Sequence, residues 1–75
     1  MKKISYANLV GTYLSQDELD TRVKFVKASG YSPYIIEEED NLFRLFVGGF
    51  FTEIGARRQF RELESDGISA ELVKR

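Results

Sequence analysis

The sequence predicts one small α+β domain of ferredoxin-like β-α-β-β-α-β architecture: a four-stranded antiparallel sheet with two helices on one face. An internal repeat carries that expectation. Val10-Gly11-Thr12-Tyr13 recurs as Val47-Gly48-Gly49-Phe50, an offset of 37 residues, and the same offset takes Gly30 to Gly67 and Ser32 to Ser69. It also pairs Tyr6 with Phe43, Leu9 with Phe46, Val23 with Phe60, Val26 with Leu63, Ile35 with Leu72, and Ile36 with Val73. A constant offset over so many apolar and glycine positions means two equivalent halves related by a pseudo-twofold. Each half reads strand, helix, strand, and two such units joined by a tight hairpin give this topology.

In order along the chain, residues from about Ser5 to Val10 make the first strand, ending at Gly11. Ser15-Gln16-Asp17-Glu18 has capping-box form, with the serine oxygen placed to accept the amide three residues on. Leu19, Val23 and Val26 then recur at helical spacing and give one apolar face. Gly30 stands where a left-handed residue ends a helix. Tyr34 to Glu38 is the second strand, with β-branched residues at its centre. Glu37-Glu38-Glu39-Asp40-Asn41 forms the hinge between halves. Its carboxylates lack the ligand spacing and turn glycine of a calcium loop, so it reads as a solvated hairpin end. Leu42 to Val47 is the third strand. A helix capped by Thr52 follows with Ala56, Phe60 and Leu63 inward, stops at Gly67, and leads to a last strand ending near Lys74. The whole of 1–75 is expected to be one domain, its halves about 5–38 and 42–75.

The bulk numbers exclude several functions. In 75 residues there is room for one thin core, because a chain this short buries only about 60% of its unfolded surface. Cysteine and histidine are both absent, which excludes disulfides, thiolate nucleophiles and the usual zinc sites. No metal or other cofactor is expected. Lysine and arginine total 11 against 12 acidic residues, for a net charge of −1, so the basic surplus of a nucleic-acid binder is missing. Leu45-Phe46-Val47-Gly48-Gly49-Phe50 matches the hydrophobic hexamer of RNA-recognition motifs. In those domains it lies on the first strand with a second aromatic motif after it, whereas here it lies on the third. No RNA partner is expected. Lys2 and Lys3 open the chain without an apolar stretch behind them, and no run approaches the roughly 18 residues that span a bilayer. The domain therefore reads as a module of a longer protein, with no membrane insertion of its own.

With both helices on one sheet face, the other is left open. Alternation turns Val10, Leu45, Val47, Ile35 and Leu72 toward the helices. It turns Ala7, Leu9, Tyr34, Ile36, Leu42, Arg44, Phe46, Glu71 and Val73 outward, with Leu9 and Phe46 side by side on the central strands. A mostly apolar open face marks a binding surface, with coverage by a linker, a partner domain or a second copy of the chain as the competing expectation. Flat side chains such as Phe46 and Tyr34 suit the C–H face of a pyranose, while Arg44 and Thr12 would supply the directed hydrogen bonds. Arg44 could instead pair with Glu71 or the acidic hairpin. Phe46→Ala and Arg44→Ala are expected to weaken binding and leave the thermal midpoint nearly unchanged.

Tyr6, Val10-Gly11-Thr12-Tyr13 and Gly30-Tyr31, followed by Phe43-Arg44, Val47-Gly48-Gly49-Phe50 and Gly67, resemble the pattern of SPOR domains over about residues 5 to 75. The resemblance implies binding of peptidoglycan glycan strands, notably those lacking stem peptides. It also implies a place at the septum in a bacterial cell-division or cell-wall protein of the envelope. Carried over by position, its glycan contacts fall on Leu9, Thr12 and Leu42. Tyr34, Ile36, Arg44, Phe46 and Val73 join them as candidates from the open face. The family usually has glutamine at the position of Leu9 and proline at that of Gly49. Catalysis is not expected: Asp17, Glu18, Asp20, Glu62, Glu64 and Asp66 fall on helix faces or caps, where pairs such as Asp20–Lys24 are the ordinary use of charge. The alternative function is a protein–protein or self-association module, in which the open face forms a weak homodimer.

Overall fold

The computed structural model describes residues 5–74, apart from the side chain of Asp40. Met1 to Ile4, whose lysines bear on the leader question, and Arg75 lie outside the described residues. The elements run β1 (Tyr6–Tyr13), α1 (Gln16–Ala28), β2 (Pro33–Glu38), a 3₁₀ turn (Glu39–Asn41), β3 (Leu42–Phe50), α2 (Glu53–Ser65) and β4 (Glu71–Lys74). The sheet order is β2-β3-β1-β4 with every pair antiparallel, so the first and third strands are central as the duplication requires.

The repeat holds to the residue. Both helices have 13 residues, and Gln16 and Ala28 map by the sequence offset onto Glu53 and Ser65. Their caps correspond too: the Ser15 side chain accepts from the Glu18 amide at 3.5 Å, and Thr52 Oγ1 from the Gly55 amide at 3.2 Å. At the far ends Gly30 and Gly67 take φ of 96° and 79°. The following amides of Tyr31 and Ile68 reach back to the carbonyls of Val26 and Leu63 at 3.4 and 2.8 Å. These bonds satisfy carbonyls that have no partner within the helix.

The core lies between the helices and the sheet. Leu19 and Val26 of α1, Leu63 of α2, Leu45 and Val47 of β3, and Ile68 form one buried cluster, with Val10, Tyr13, Val23, Tyr31, Phe43 and Ala70 packed at its margin. Each such large apolar side chain contributes about 1.5–3 kcal/mol through burial. Ile35 is a partial exception to the expected pattern. Its register with Leu45 places it on the helical face, yet it is 45% exposed, because β2 is an edge strand beyond the centre of the helix layer.

Two strands are longer than the sequence suggests, and the reason is a duplicated bulge. The first strand does not end at Gly11, nor the third at Val47: the β1–β3 register slips between Leu9 and Gly11, and again between Tyr6 and Asn8 opposite Gly48-Gly49. A bulge places an extra residue in one strand and reverses which side the following residues occupy. At both sites the aromatic two positions after the glycine folds over it. A methyl group on Gly11 would overlap the Tyr13 ring, and one on Gly48 would overlap Phe50 and Gln59. The repeated Val-Gly-x-aromatic signature is therefore a bulge whose aromatic folds back over its own glycine, and in the first copy Tyr13 also packs against the core cluster.

Candidate functional site

The register assembles the open face in rows. Tyr34, Phe46, Leu9 and Glu71 stand directly opposite one another across all four strands. Ile36, Arg44 and Thr12 form the next row, Glu38 faces Leu42 beyond it, and Ala7 faces Val73 on the other side. Thr12 reaches this face because of the first bulge; simple alternation from Leu9 would have turned it inward. All eight sequence-chosen candidates, Leu9, Thr12, Tyr34, Ile36, Leu42, Arg44, Phe46 and Val73, are thus brought onto one surface.

Their exposure is uneven. Thr12, Arg44, Glu38 and Glu71 are exposed and form a polar rim, while Leu9, Tyr34, Ile36, Leu42 and Val73 are half-buried. At the centre, Phe46 is only 4% exposed and Ala7 is fully buried. The Tyr34 ring stacks on Phe46 with centroids 5.5 Å apart and planes 19° apart, and Leu9 stands opposite Phe46 on its other side. Phe46 consequently forms the floor of the face. The stack is tied down at its other end, where Tyr34 Oη donates to the Gly48 carbonyl at 3.0 Å. A bulge leaves backbone groups outside the strand ladder, and a side-chain donor takes this one.

Arg44 pairs with Glu38 of the acidic hairpin rather than with Glu71, at 3.8 Å and with both side chains nearly half exposed. A pair so long and so wet contributes at most about 1 kcal/mol, so Arg44 remains available to a ligand.

Asn8 is the polar residue that sequence reasoning did not single out. It lies on the helical face, is fully buried, and donates through Nδ2 to the Ala56 carbonyl and to Gln59 Oε1, both at 3.1 Å. It ties β1 to the first turns of α2 directly beneath Leu9. An asparagine between two apolar residues in a strand was the available signal.

Among the described residues the helical side carries no comparable assembly. A hollow of about 390 Å³ is lined by Tyr13, Asp17, Glu18, Thr21 and Arg22 along the first half of α1. It includes none of the open-face residues. Asp20 accepts from Gln16 at 3.0 Å rather than pairing with Lys24, and Arg57–Glu53 at 3.1 Å is the i,i+4 ion pair among the described residues. Tyr31 Oη donates to Asp66 Oδ2 at 2.6 Å, joining the C-terminal ends of the two helices. That hydrogen bond, with desolvation and the Asp66 charge, pushes the Tyr31 hydroxyl up from 10.0 to about 12. Among the described residues no three carboxylates lie close enough to ligate a metal ion.

No protein-family model matches the sequence, and no curated protein matches it. The architecture is more informative: duplicated β-α-β halves, four strands in this order and one open face make this a SPOR-like fold. Two solved structures share it. The solution structure of the peptidoglycan binding domain of the B. subtilis cell wall lytic enzyme CwlC superposes with a TM-score of 0.82, covering 100% of this chain and 94% of that one at 16% identity. The Spor protein DedD superposes with a TM-score of 0.76 over 99% of this chain at 18% identity, and this chain covers 40% of the DedD chain.

Proposed function

We propose that this domain is a non-catalytic module that binds the glycan strands of peptidoglycan, preferring strands that lack stem peptides. In this reading it belongs to a longer exported protein of the bacterial envelope and draws that protein to the division septum. The observation that carries the reading is the superposition, over the full length of this chain, on a domain named for peptidoglycan binding. The open face supports it, since an apolar floor with a polar rim suits a ligand having both C–H faces and hydroxyls. The lack of catalysis is supported by the placement of Asp17 and Glu18, which sit on the helical side, away from that face.

Cosedimentation with intact and with amidase-treated sacculi tests the proposal. The domain should pellet with both and more completely with the treated ones. Recovery in the supernatant with both would end the glycan reading. The half-buried apolar residues of the open face favour self-association as the second reading. Sedimentation velocity on the free domain would then show dimers, and Leu42→Asp would dissolve them.

A further inference from the structure

We propose that the outward ridge of α2 is a second docking surface, one that takes an anionic lipid membrane. Phe51 and Ile54 meet the boundary between headgroups and acyl chains, and Arg57, Arg58 and Arg61 face the lipid phosphates. This goes beyond the glycan reading and does not rest on it.

Ile54, Arg58 and Arg61 recur at helical spacing and share one stripe of α2, with Arg57 beside it. The stripe points away from the sheet, because Ala56 and Leu63 on the opposite side of the helix are fully buried. Phe51 and Ile54 are 56% and 75% exposed, so two large apolar side chains stand in water next to the arginines. Glu53 takes Arg57 at 3.1 Å, but among the described residues neither Arg58 nor Arg61 has a carboxylate partner. Apolar side chains flanked by exposed arginines fit a boundary with hydrocarbon beneath and anionic headgroups above.

The stability of the helix does not account for this arrangement. The macrodipole favours acidic residues in the first turn and basic ones in the last. Helix α1 follows that order, with Asp17 and Glu18 at its start and Lys27 at its end. Helix α2 places its arginines ahead of Glu62 and Glu64 and has no basic residue in its last turn. The repeat supplies a comparison, because Phe51, Ile54, Arg57 and Arg58 are equivalent to Leu14, Asp17, Asp20 and Thr21. Both halves expose an apolar residue before the helix, Leu14 at 73%, but only the second follows it with another apolar residue and arginines.

Charge is also divided between the two ends of the sheet. Helix α2 starts where Phe50 meets Tyr6, the end at which Lys74 also stands. The other end, where Tyr13 meets Phe43, carries the acidic first turn of α1 and the Glu37-Glu38-Glu39 run. An anionic surface therefore attracts the α2 end and repels the other, which sets the orientation although the net charge is −1. Among the described residues no helix is long and apolar enough to cross a membrane, and the contact proposed is peripheral.

Flotation with vesicles of phosphatidylglycerol and with vesicles of phosphatidylcholine tests the proposal. The domain should float with the first, stay behind with the second, and detach as salt is raised. Arg58→Gln combined with Arg61→Gln should weaken binding about thirtyfold, at roughly fivefold for each arginine removed. Ile54→Ser leaves the charge unchanged and should weaken binding several-fold. All three side chains are exposed, so thermal melts of the variants should match the wild type. No flotation with phosphatidylglycerol, or undiminished flotation of the double variant, would overturn the proposal. Loss in the double variant without any loss in Ile54→Ser would mean a surface for a soluble polyanion and would overturn the membrane assignment. A parallel fall in pelleting with sacculi would give the arginines to the wall and overturn it as well.

Discussion

Phe46 lies with Tyr34 on one flank and Leu9 on the other, so truncating it opens a cavity beneath the open face. Phe46→Ala should cost about 3–5 kcal/mol, which in a domain of this size lowers the thermal midpoint by roughly 10 °C or more. This reverses the expectation of an unchanged midpoint, although the residue is on the face foreseen for it. The strand period tells which way a side chain points, but exposure also depends on what stands beside it. Arg44→Ala keeps its expected outcome, because the Glu38 pair is long and exposed. Differential scanning calorimetry of the two variants should separate them clearly. The cover that Leu9 gives to Phe46 also supplies a packing role for an aliphatic residue where the family usually has an amide.

At the level of elements, the bulges decide what the glycines do. Gly30 needs only its left-handed φ, and nothing lies within 4 Å of where a methyl group would stand. Gly48 needs both its φ of 77° and an empty Cβ position against Gln59 and Phe50. Gly30→Ala should therefore cost about 1–2 kcal/mol in denaturant unfolding. Gly48→Ala should cost distinctly more and should disturb the Tyr34 tether as well. A Gly48→Ala loss no larger than that of Gly30→Ala would mean the bulge is not tightly held. The helix ends offer a pH-dependent counterpart. Tyr31 is neutral in its bond to Asp66, and its folded pKa of about 12 exceeds the ordinary 10.0. The bond is thus fully stabilising below about pH 10 and is lost as pH rises toward 12. Ultraviolet titration should show one of the four tyrosines ionising last, and Tyr31→Phe should remove that late step.

For the whole molecule, the net charge of −1, with Arg44 the single open-face cation among the described residues, argues that the proposed attachment to a wall polymer is not driven by long-range attraction. Binding to amidase-treated sacculi should change little as salt is raised, since stacking and apolar contact are not screened. A steep fall with salt would point instead to the arginines of α2 as the contact. The two layers also separate duties. The helical side holds the core, the Asn8 anchor and most of the charge, whereas the open side carries all the residues proposed for glycan binding.

The duplication determined the architecture from sequence alone. Equal spacing of apolar and glycine positions leaves two like halves, and like halves with one apolar face each must meet across a shared core. The strand order, both helix caps and the direct pairing of Leu9 with Phe46 follow from it. Only the tertiary structure decided how that open face is finished. Whether a glycine after valine ends a strand or bulges within it depends on an aromatic two positions later folding back over that glycine, which is a packing event. Whether Phe46 is a contact or a floor depends on Tyr34, a neighbour 12 positions away in sequence, swinging over it to reach the Gly48 carbonyl. Asn8 could declare itself buried only once α2 lay across it. Periodicity is local and survives in the sequence; cover, tether and bulge are long-range and arise when the strands meet.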